Sequence, residues 1–341
     1  MSRADRTEQL RQWYASRSPI GSQKLEPVAG DASFRRYFRV AHDGLSVILC
    51  DAPPQTEKNA EFVALAGALA DAGLRVPAVL QADLEQGFLA LEDLGDQTLL
   101  PLLTAQTVDG YYSDALGMLQ DLALADAANF SLLPYDRAHL CREMALFPEW
   151  FCQGLLGLDM PSDVVGDFAA LESLLCDRAL AQTQVVVHRD FHARNLMLLA
   201  DGALATIDFQ DAVLGPLTYD PVSLLKDCYL RWPDDQVRQW ALKHREDLAA
   251  RGVVVPEPKA FLMDFDFMGL QRHIKVLGIF ARLYLRDGKP GYLQDLPRVM
   301  GYVQSTLKSY PAVPALAAFA AWFDRQILPA AQQHDWFHES G

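Results

Sequence analysis

Long apolar runs are the first thing missing: nowhere in the 341 residues is there the stretch of ~20 that a membrane-crossing helix requires. The opening residues, Met1 to Leu10, also lack the apolar segment of a secretory signal, so a cytoplasmic protein with no membrane partner is expected. Cysteine is sparse and unpatterned. Five thiols, at positions 50, 141, 152, 176 and 228, show no C-x-x-C spacing and predict reduced side chains, not zinc ligands or staples. Positive charge is short as well. Thirty Lys and Arg stand against 44 Asp and Glu, a formal net charge of −14, which argues against a nucleic-acid partner. An anionic substrate must therefore find a local positive patch in an unfavourable overall field. There is no internal repeat or low-complexity tract, and no obligate protein partner is suggested.

What remains is ordinary for a globular enzyme: half the residues are hydrophobic and 22% are charged, with length enough for about two lobes. Residues 1–94 are rich in short strands and 95–341 are mostly helical, so an α+β, two-lobe protein-kinase-like fold is expected. A helix is predicted over 7–18. Tyr37–Val40 and Leu45–Leu49 should form a hairpin about Asp43-Gly44. A helix over Glu57–Ala72, strands at Val79-Leu80 and Phe88–Leu91, and a linker between lobes at Leu89–Gly95 follow.

The chemistry-bearing stretch is His188-Arg189-Asp190-Phe191-His192-Ala193-Arg194-Asn195, with Ile207-Asp208-Phe209 beyond it. Phosphoryl transfer needs a carboxylate beside the attacking hydroxyl, and an amide oxygen with a second carboxylate to hold Mg²⁺ against the phosphates of ATP. Asp190 and Asn195 are five apart, the separation a kinase catalytic loop uses between base and metal-binding Asn. Asp208 stands where the metal-binding Asp of the next loop belongs. Gln184–Val187 reads as the strand delivering the loop. Leu196–Leu199 and Leu204–Ile207, turning at Asp201-Gly202, read as a hairpin that returns Asp208 to Asn195. Histidines 188 and 192 are expected to brace the loop.

Other candidates are weaker alone. Gly30 and Ser33 lie where a phosphate-covering loop would sit, and Arg35 and Arg36 add charge beside it. Backbone groups from Glu92 to Leu94 could read the adenine edge, with Leu94 lining the ring's slot. The stretch expected to be the third strand, Leu45–Asp51, offers no lysine for the phosphates, so Arg35, Arg36 or Lys58 must supply that charge, with Glu57 or Glu61 as its carboxylate partner. Glu149 and Trp150 pair a carboxylate with an aromatic, as sugars favour. Arg272 and Lys275 belong to a basic stripe with Arg282 and Arg286 on a helix expected over Gly269–Leu285. Such a stripe is most often a solvated face; the alternative is a wall that binds carboxylate or phosphate.

Together H-x-D-x-H-x-x-N, I-D-F and Gly215-Pro-Leu-Thr-Tyr-Asp-Pro-Val-Ser-Leu-Leu225 resemble the aminoglycoside phosphotransferase family, which includes choline and sugar kinases. Gly30–Arg39, Cys50–Pro54 and Gln271–Arg282 are similar to one branch, the anomeric amino-sugar kinases of cell-wall recycling. The resemblance implies Asp190 as base, Asn195 and Asp208 on Mg²⁺, ATP as donor, and the C1 hydroxyl of N-acetylmuramate or N-acetylglucosamine as acceptor. Aminoglycoside or choline kinases are the alternative, suited by the acidic composition but not by a C-terminal tail holding only Asp335 and Glu339. A non-catalytic nucleotide-binding protein would explain the absent lysine.

Overall fold

The computed structural model describes residues 3–18, 24–28 and 35–338, so Gly30 and Ser33 lie outside the described residues. The chain divides into two compact units, residues 1–131 with 193–211, and residues 132–192 with 212–341.

The first unit is built on a five-stranded antiparallel sheet of order β1-β2-β3-β5-β4, with β1 Glu26–Val28, β2 Arg36–His42, β3 Leu45–Asp51, β4 Val79–Asp83 and β5 Phe88–Glu92. The β2–β3 hairpin turns at Asp43 (φ +50°) and Gly44 (φ +78°), a two-residue turn of the type that matches strand twist. One face buries Phe38, Val40, Leu49, Phe88 and Ala90 against Leu10, Trp13 and Tyr14 of α1, Arg3–Ala15. Burying such side chains contributes about 1.5–3 kcal/mol each. Helix α2, Asn59–Asp71, begins two residues after Glu57, which therefore stands ahead of the helix. Helix α3 covers Val108–Leu124.

The second unit contains helices α4 (Arg137–Met144) and α5 (Ser162–Leu180), with the wide helical segment Phe147–Leu155 between them in sequence. Strand β6, Gln184–Val187, follows α5. The hairpin of β7, Leu196–Leu198, and β8, Leu204–Thr206, groups with the first unit because Leu99 N donates to Leu196 O (2.8 Å) and Thr206 N to Arg75 O (2.8 Å). Back in the second unit, β9 (Val213–Pro216) pairs antiparallel with β6, and α6 (Tyr219–Leu225), α7 (Asp234–Ala250), α8 (Pro258–Leu285), α9 (Leu296–Ser309) and α10 (Pro314–Trp322) follow.

Helix α8 is the spine of that unit, buried almost without break from Asp264 to Gly278. At Gly278 a Cβ would lie 2.4 Å from the backbone carbon of Leu146, so only glycine permits this approach.

Several expectations need correction. Helix α8 starts at Pro258, eleven residues before Gly269, because its acidic first half is buried through ion pairs: Asp264 with Arg178, and Asp266 with Lys226 (2.8 Å) and Arg238 (3.2 Å). The stripe is not a solvated face at Arg272 and Lys275, which are buried, while Arg286 beyond the helix end is exposed. Residues 89–92, expected to open the linker, belong to β5. The first helix runs Arg3–Ala15, earlier than 7–18.

Candidate active site

Strand β6 leads directly into His188-Arg189-Asp190. Arg189 has φ +76°, a left-handed conformation that costs a non-glycine residue about 1–3 kcal/mol. The surroundings over-determine it. The N–H groups of His188 and Arg189 donate to the two oxygens of Asp220 at 2.6 and 2.9 Å. The Arg189 carbonyl accepts from Ser223 Oγ (3.2 Å) and Arg272 Nη1 (3.1 Å), and its guanidinium pairs with Glu143 and lies over the Tyr135 ring (5.5 Å). Lys275 Nζ reaches the same Glu143 carboxylate (3.0 Å) and the Tyr219 hydroxyl (3.0 Å).

Asp190, like Arg189, is partly accessible, between the buried His188 and Phe191. Burial works to raise its pKa, but Arg272, Lys275, His192 and Arg189 outweigh that and hold the carboxyl below its ordinary value. It is therefore ionised, ready to accept a proton. Asp220 is the reverse: burial pushes it up to about 7 despite the two N–H donors and Arg272. Glu143 stays low, because Lys275 and Arg189 overcome its burial.

The first unit holds the other half of the motif. Ile207 N donates to Asn195 O (3.0 Å), closing the base of the hairpin, and places the Asp208 carboxylate 3.5 Å from the Asn195 amide. Asp208 has φ +65°, the second left-handed non-glycine residue of the motif, and accepts from Gln210 Nε2 at 2.6 Å. Phe209 is buried and stacks on Phe62 of α2, with centroids 4.9 Å apart. The donor set suits a hard divalent cation, which takes oxygen ligands and keeps water and phosphate in its remaining positions. Asn195 turns Nδ2 towards Asp208, and a half-turn of its amide would present Oδ1 there. The residues fit Mg²⁺.

The remaining candidates separate. Arg35 is buried and pairs with Glu57 (3.0 Å), whereas Arg36 turns to Asp51, which Arg6 of α1 also holds (2.8 Å). The Glu92 carboxylate is taken by Arg75 and the Ala78 N–H, and its own N–H donates to the Ala78 carbonyl (2.9 Å). Glu149 is exposed and Trp150 half-buried on Phe147–Leu155; the α4 residue that pairs with Arg189, next to Asp190, is Glu143. Glu143 and Asp220 are not legible as site residues from sequence, although Asp220 lies in the Gly215–Leu225 stretch, because only contacts distant in sequence give them a role. A row of aromatics also went unread: His192 meets Tyr229 edge-on (5.3 Å), and Tyr229 stacks on Phe280 (6.1 Å).

The chain belongs to the phosphotransferase enzyme family, whose profile matches residues 24–247. It is 43% identical to the N-acetylmuramate/N-acetylglucosamine kinase of Pseudomonas putida, over 89% of this chain and 88% of that one. The Pseudomonas aeruginosa protein of the same name is 40% identical, over 94% of this chain and 98% of the other. Among solved structures, an ADP-bound aminoglycoside phosphotransferase superposes with TM-score 0.58 at 16% identity, covering 91% of this chain and 98% of that one. The Streptococcus pneumoniae choline kinase does so with TM-score 0.58 at 14% identity, covering 86% and 99%. At these identities the structural matches establish the two-lobe kinase-like fold and no more.

Proposed function

We propose that this protein transfers the γ-phosphoryl group of ATP to the anomeric C1 hydroxyl of N-acetylmuramate, N-acetylglucosamine or both, in the cytoplasm, as a step in reuse of cell-wall sugars. The observation that carries the choice of acceptor is the charge around Asp190. Three cations, Arg189, Arg272 and Lys275, act on or flank the base, against Glu143 and an Asp220 pushed to about 7. A cationic aminoglycoside or choline headgroup would be repelled there, whereas a neutral or anionic sugar would not. The relatives carrying the amino-sugar kinase name agree, and they match nearly end to end.

In this reading residues 1–94 form the nucleotide lobe and 95–341 the catalytic and substrate lobe. Asp190 accepts the C1 hydroxyl proton as the new O–P bond forms and ADP departs. An anomeric hydroxyl is more acidic than an ordinary alcohol, so a carboxylate held ionised by Arg272 and Lys275 is a sufficient base, contributing about 10²–10⁴-fold. Asn195 and Asp208 would hold Mg²⁺, which when bound offsets charge on the donor's phosphates. Gly30 and Ser33 would cover those phosphates, and the backbone of 92–94 with Leu94 would take adenine. Trp150 and Glu149 are assigned to the outer part of the sugar site, Arg272 and Lys275 to its base.

An ADP-release screen over N-acetylmuramate, N-acetylglucosamine, choline and kanamycin tests this. Turnover with a sugar is expected, with a product that has lost its reducing end, as phosphate on C1 requires; Asp190→Asn should abolish it. Preference for choline or kanamycin would overturn the reading.

A further inference from the structure

The third strand of this sheet, β3, contains no lysine, yet the triphosphate of ATP carries more charge than a divalent cation neutralises. A compensating cation on the chain must sit beside the metal-binding residues, be fixed in orientation, and carry an acidic partner that keeps it charged in a desolvated place. The first unit offers four basic residues near the start of β2 and α2: Arg6, Arg35, Arg36 and Lys58.

Three of them do not meet these requirements. Lys58 is exposed, as is Glu61 one turn further on. Arg36 and Arg6 converge on Asp51, the last residue of β3 and fully buried, and Arg6 also donates to the Gln86 carbonyl (2.8 Å). Those contacts tie α1 to the sheet. Successive residues along a strand face opposite sides, so Arg35, immediately before β2, shares its side with Tyr37 and not with Arg36.

Arg35 meets each requirement. It is 5% exposed, and its Nε lies 3.0 Å from Glu57 Oε2, just ahead of α2. Its guanidinium lies 4.7 Å over the Phe62 ring, and Phe62 stacks at 4.9 Å on Phe209, the residue after Asp208. A chain of contact thus runs from Arg35 through the Phe62 and Phe209 rings to the metal-binding loop, and Tyr37, on the same side of β2 as Arg35, feels the charges of both Arg35 and Asp208. A guanidinium has five N–H donors, so it can keep a carboxylate and still address phosphate oxygens in a fixed plane.

We propose that Arg35, oriented by Glu57 and the Phe62 ring, is the residue that contacts the phosphates of ATP in place of a β3 lysine, and that Arg36 is not. The cation is supplied from the entry of β2 rather than from β3. The inference rests on the phosphotransferase reading above, but not on which sugar is the acceptor.

Calorimetric binding of Mg·ATP and of adenosine, without acceptor, tests it. Arg35→Ala should weaken Mg·ATP by about 10- to 100-fold, the size of a lost charge-assisted hydrogen bond, and leave adenosine within about twofold. Arg35→Lys should recover part of that loss. Glu57→Gln should weaken Mg·ATP without affecting adenosine, because it frees the guanidinium from its orientation. Arg36→Ala should lower the melting temperature and leave Mg·ATP within about twofold. Equal weakening of adenosine and Mg·ATP by Arg35→Ala would make Arg35 a structural residue and overturn the proposal. So would an Mg·ATP affinity that follows Arg36 instead. A wild-type protein that binds Mg·ATP but phosphorylates neither sugar would sink the acceptor assignment alone.

Discussion

Asp220→Ala removes the acceptor of two backbone N–H groups on which the position of Asp190, the proposed base, depends. In the wild type these donors, from His188 and Arg189, reach the Asp220 oxygens at 2.6 and 2.9 Å inside the protein. A buried donor left without a partner costs about 1–3 kcal/mol, so two cost about 2–6 kcal/mol. Burial of Asp220, which pushes its carboxyl up to about 7, works against the wild type and draws the expected net loss to the lower half of that range. Against a typical stability of about 5–15 kcal/mol this is large but survivable. The loop has a second way to respond. Arg189 sits at φ +76°, and releasing that strain lets the peptide before Asp190 rotate. Part of the loss should therefore appear in catalysis: a kcat at least about a hundredfold lower, with the KM for ATP nearly unchanged. Asp220→Asn should fall between, since its amide oxygen satisfies one N–H and its NH₂ opposes the other. Urea denaturation and steady-state kinetics on both variants provide the check. A stability loss under about 1 kcal/mol with kcat within threefold of wild type would refute the idea that Asp220 holds the loop.

A linked pH effect follows from the same residue. Its carboxyl is raised from 3.8 to about 7, so the folded state binds the proton more tightly, and this contribution is full below the unfolded value and lost as pH rises through about 7. The stability of wild type relative to Asp220→Asn should therefore decline between about pH 4 and 7, and a flat difference would contradict it. Glu143→Ala leaves Arg189 and Lys275 without their shared carboxylate and should cost about 3–5 kcal/mol by urea denaturation, the usual penalty for orphaning a buried ion. Asp208→Ala should raise the Mg²⁺ concentration needed for half-maximal turnover by at least about tenfold, with partial recovery at high metal; a metal titration matching wild type would remove Asp208 from the site. Raising salt should not increase kcat/KM for anionic N-acetylmuramate relative to neutral N-acetylglucosamine. An increase above about twofold would mean that the net charge, not the base's neighbours, governs the acceptor.

Local signals were the legible ones. The β2–β3 hairpin was readable because Asp43-Gly44 supplies two residues that accept positive φ, and the β7–β8 hairpin because its turn has Gly202 at φ +86°. Both turns fix register within a dozen residues, so no distant contact is needed to know which strands pair. The placement of Asp208 beside Asn195 follows from the second of them. Strand β9 escaped because Val213–Pro216 is four residues long and contains glycine and proline, and its partner β6 ends 26 positions earlier. The first half of α8 escaped because Asp264 and Asp266 break its apolar pattern, and nothing nearby in sequence shows that Arg178, Lys226 and Arg238 neutralise them. For Arg272 and Lys275 the spacing placed both on one helix face but could not say that the face is interior. That depends on Glu143 and Tyr219, far away along the chain.

The global charge and the local charge point to different substrates, and physics chooses between them. A net charge of −14 attracts cations at long range, and this is the best argument for an aminoglycoside or choline acceptor. Most of it, however, is exposed and acts through water, where physiological salt screens it beyond about 8 Å. Arg189, Arg272 and Lys275 are buried or nearly so and act on Asp190 through protein, where the effective dielectric is far lower. They already fill the electrostatic role that a cationic substrate would play beside an ionised base. Adding a further positive charge would gain little attraction from Asp190 and meet repulsion from Arg272, with that of Arg189 and Lys275 only partly offset by Glu143. An acceptor that brings only hydroxyls, or one carboxylate a ring's width from the reacting oxygen, meets no such opposition. The surface charge therefore bears on solubility and encounter, and the buried cations favour a neutral or anionic acceptor at the proposed base.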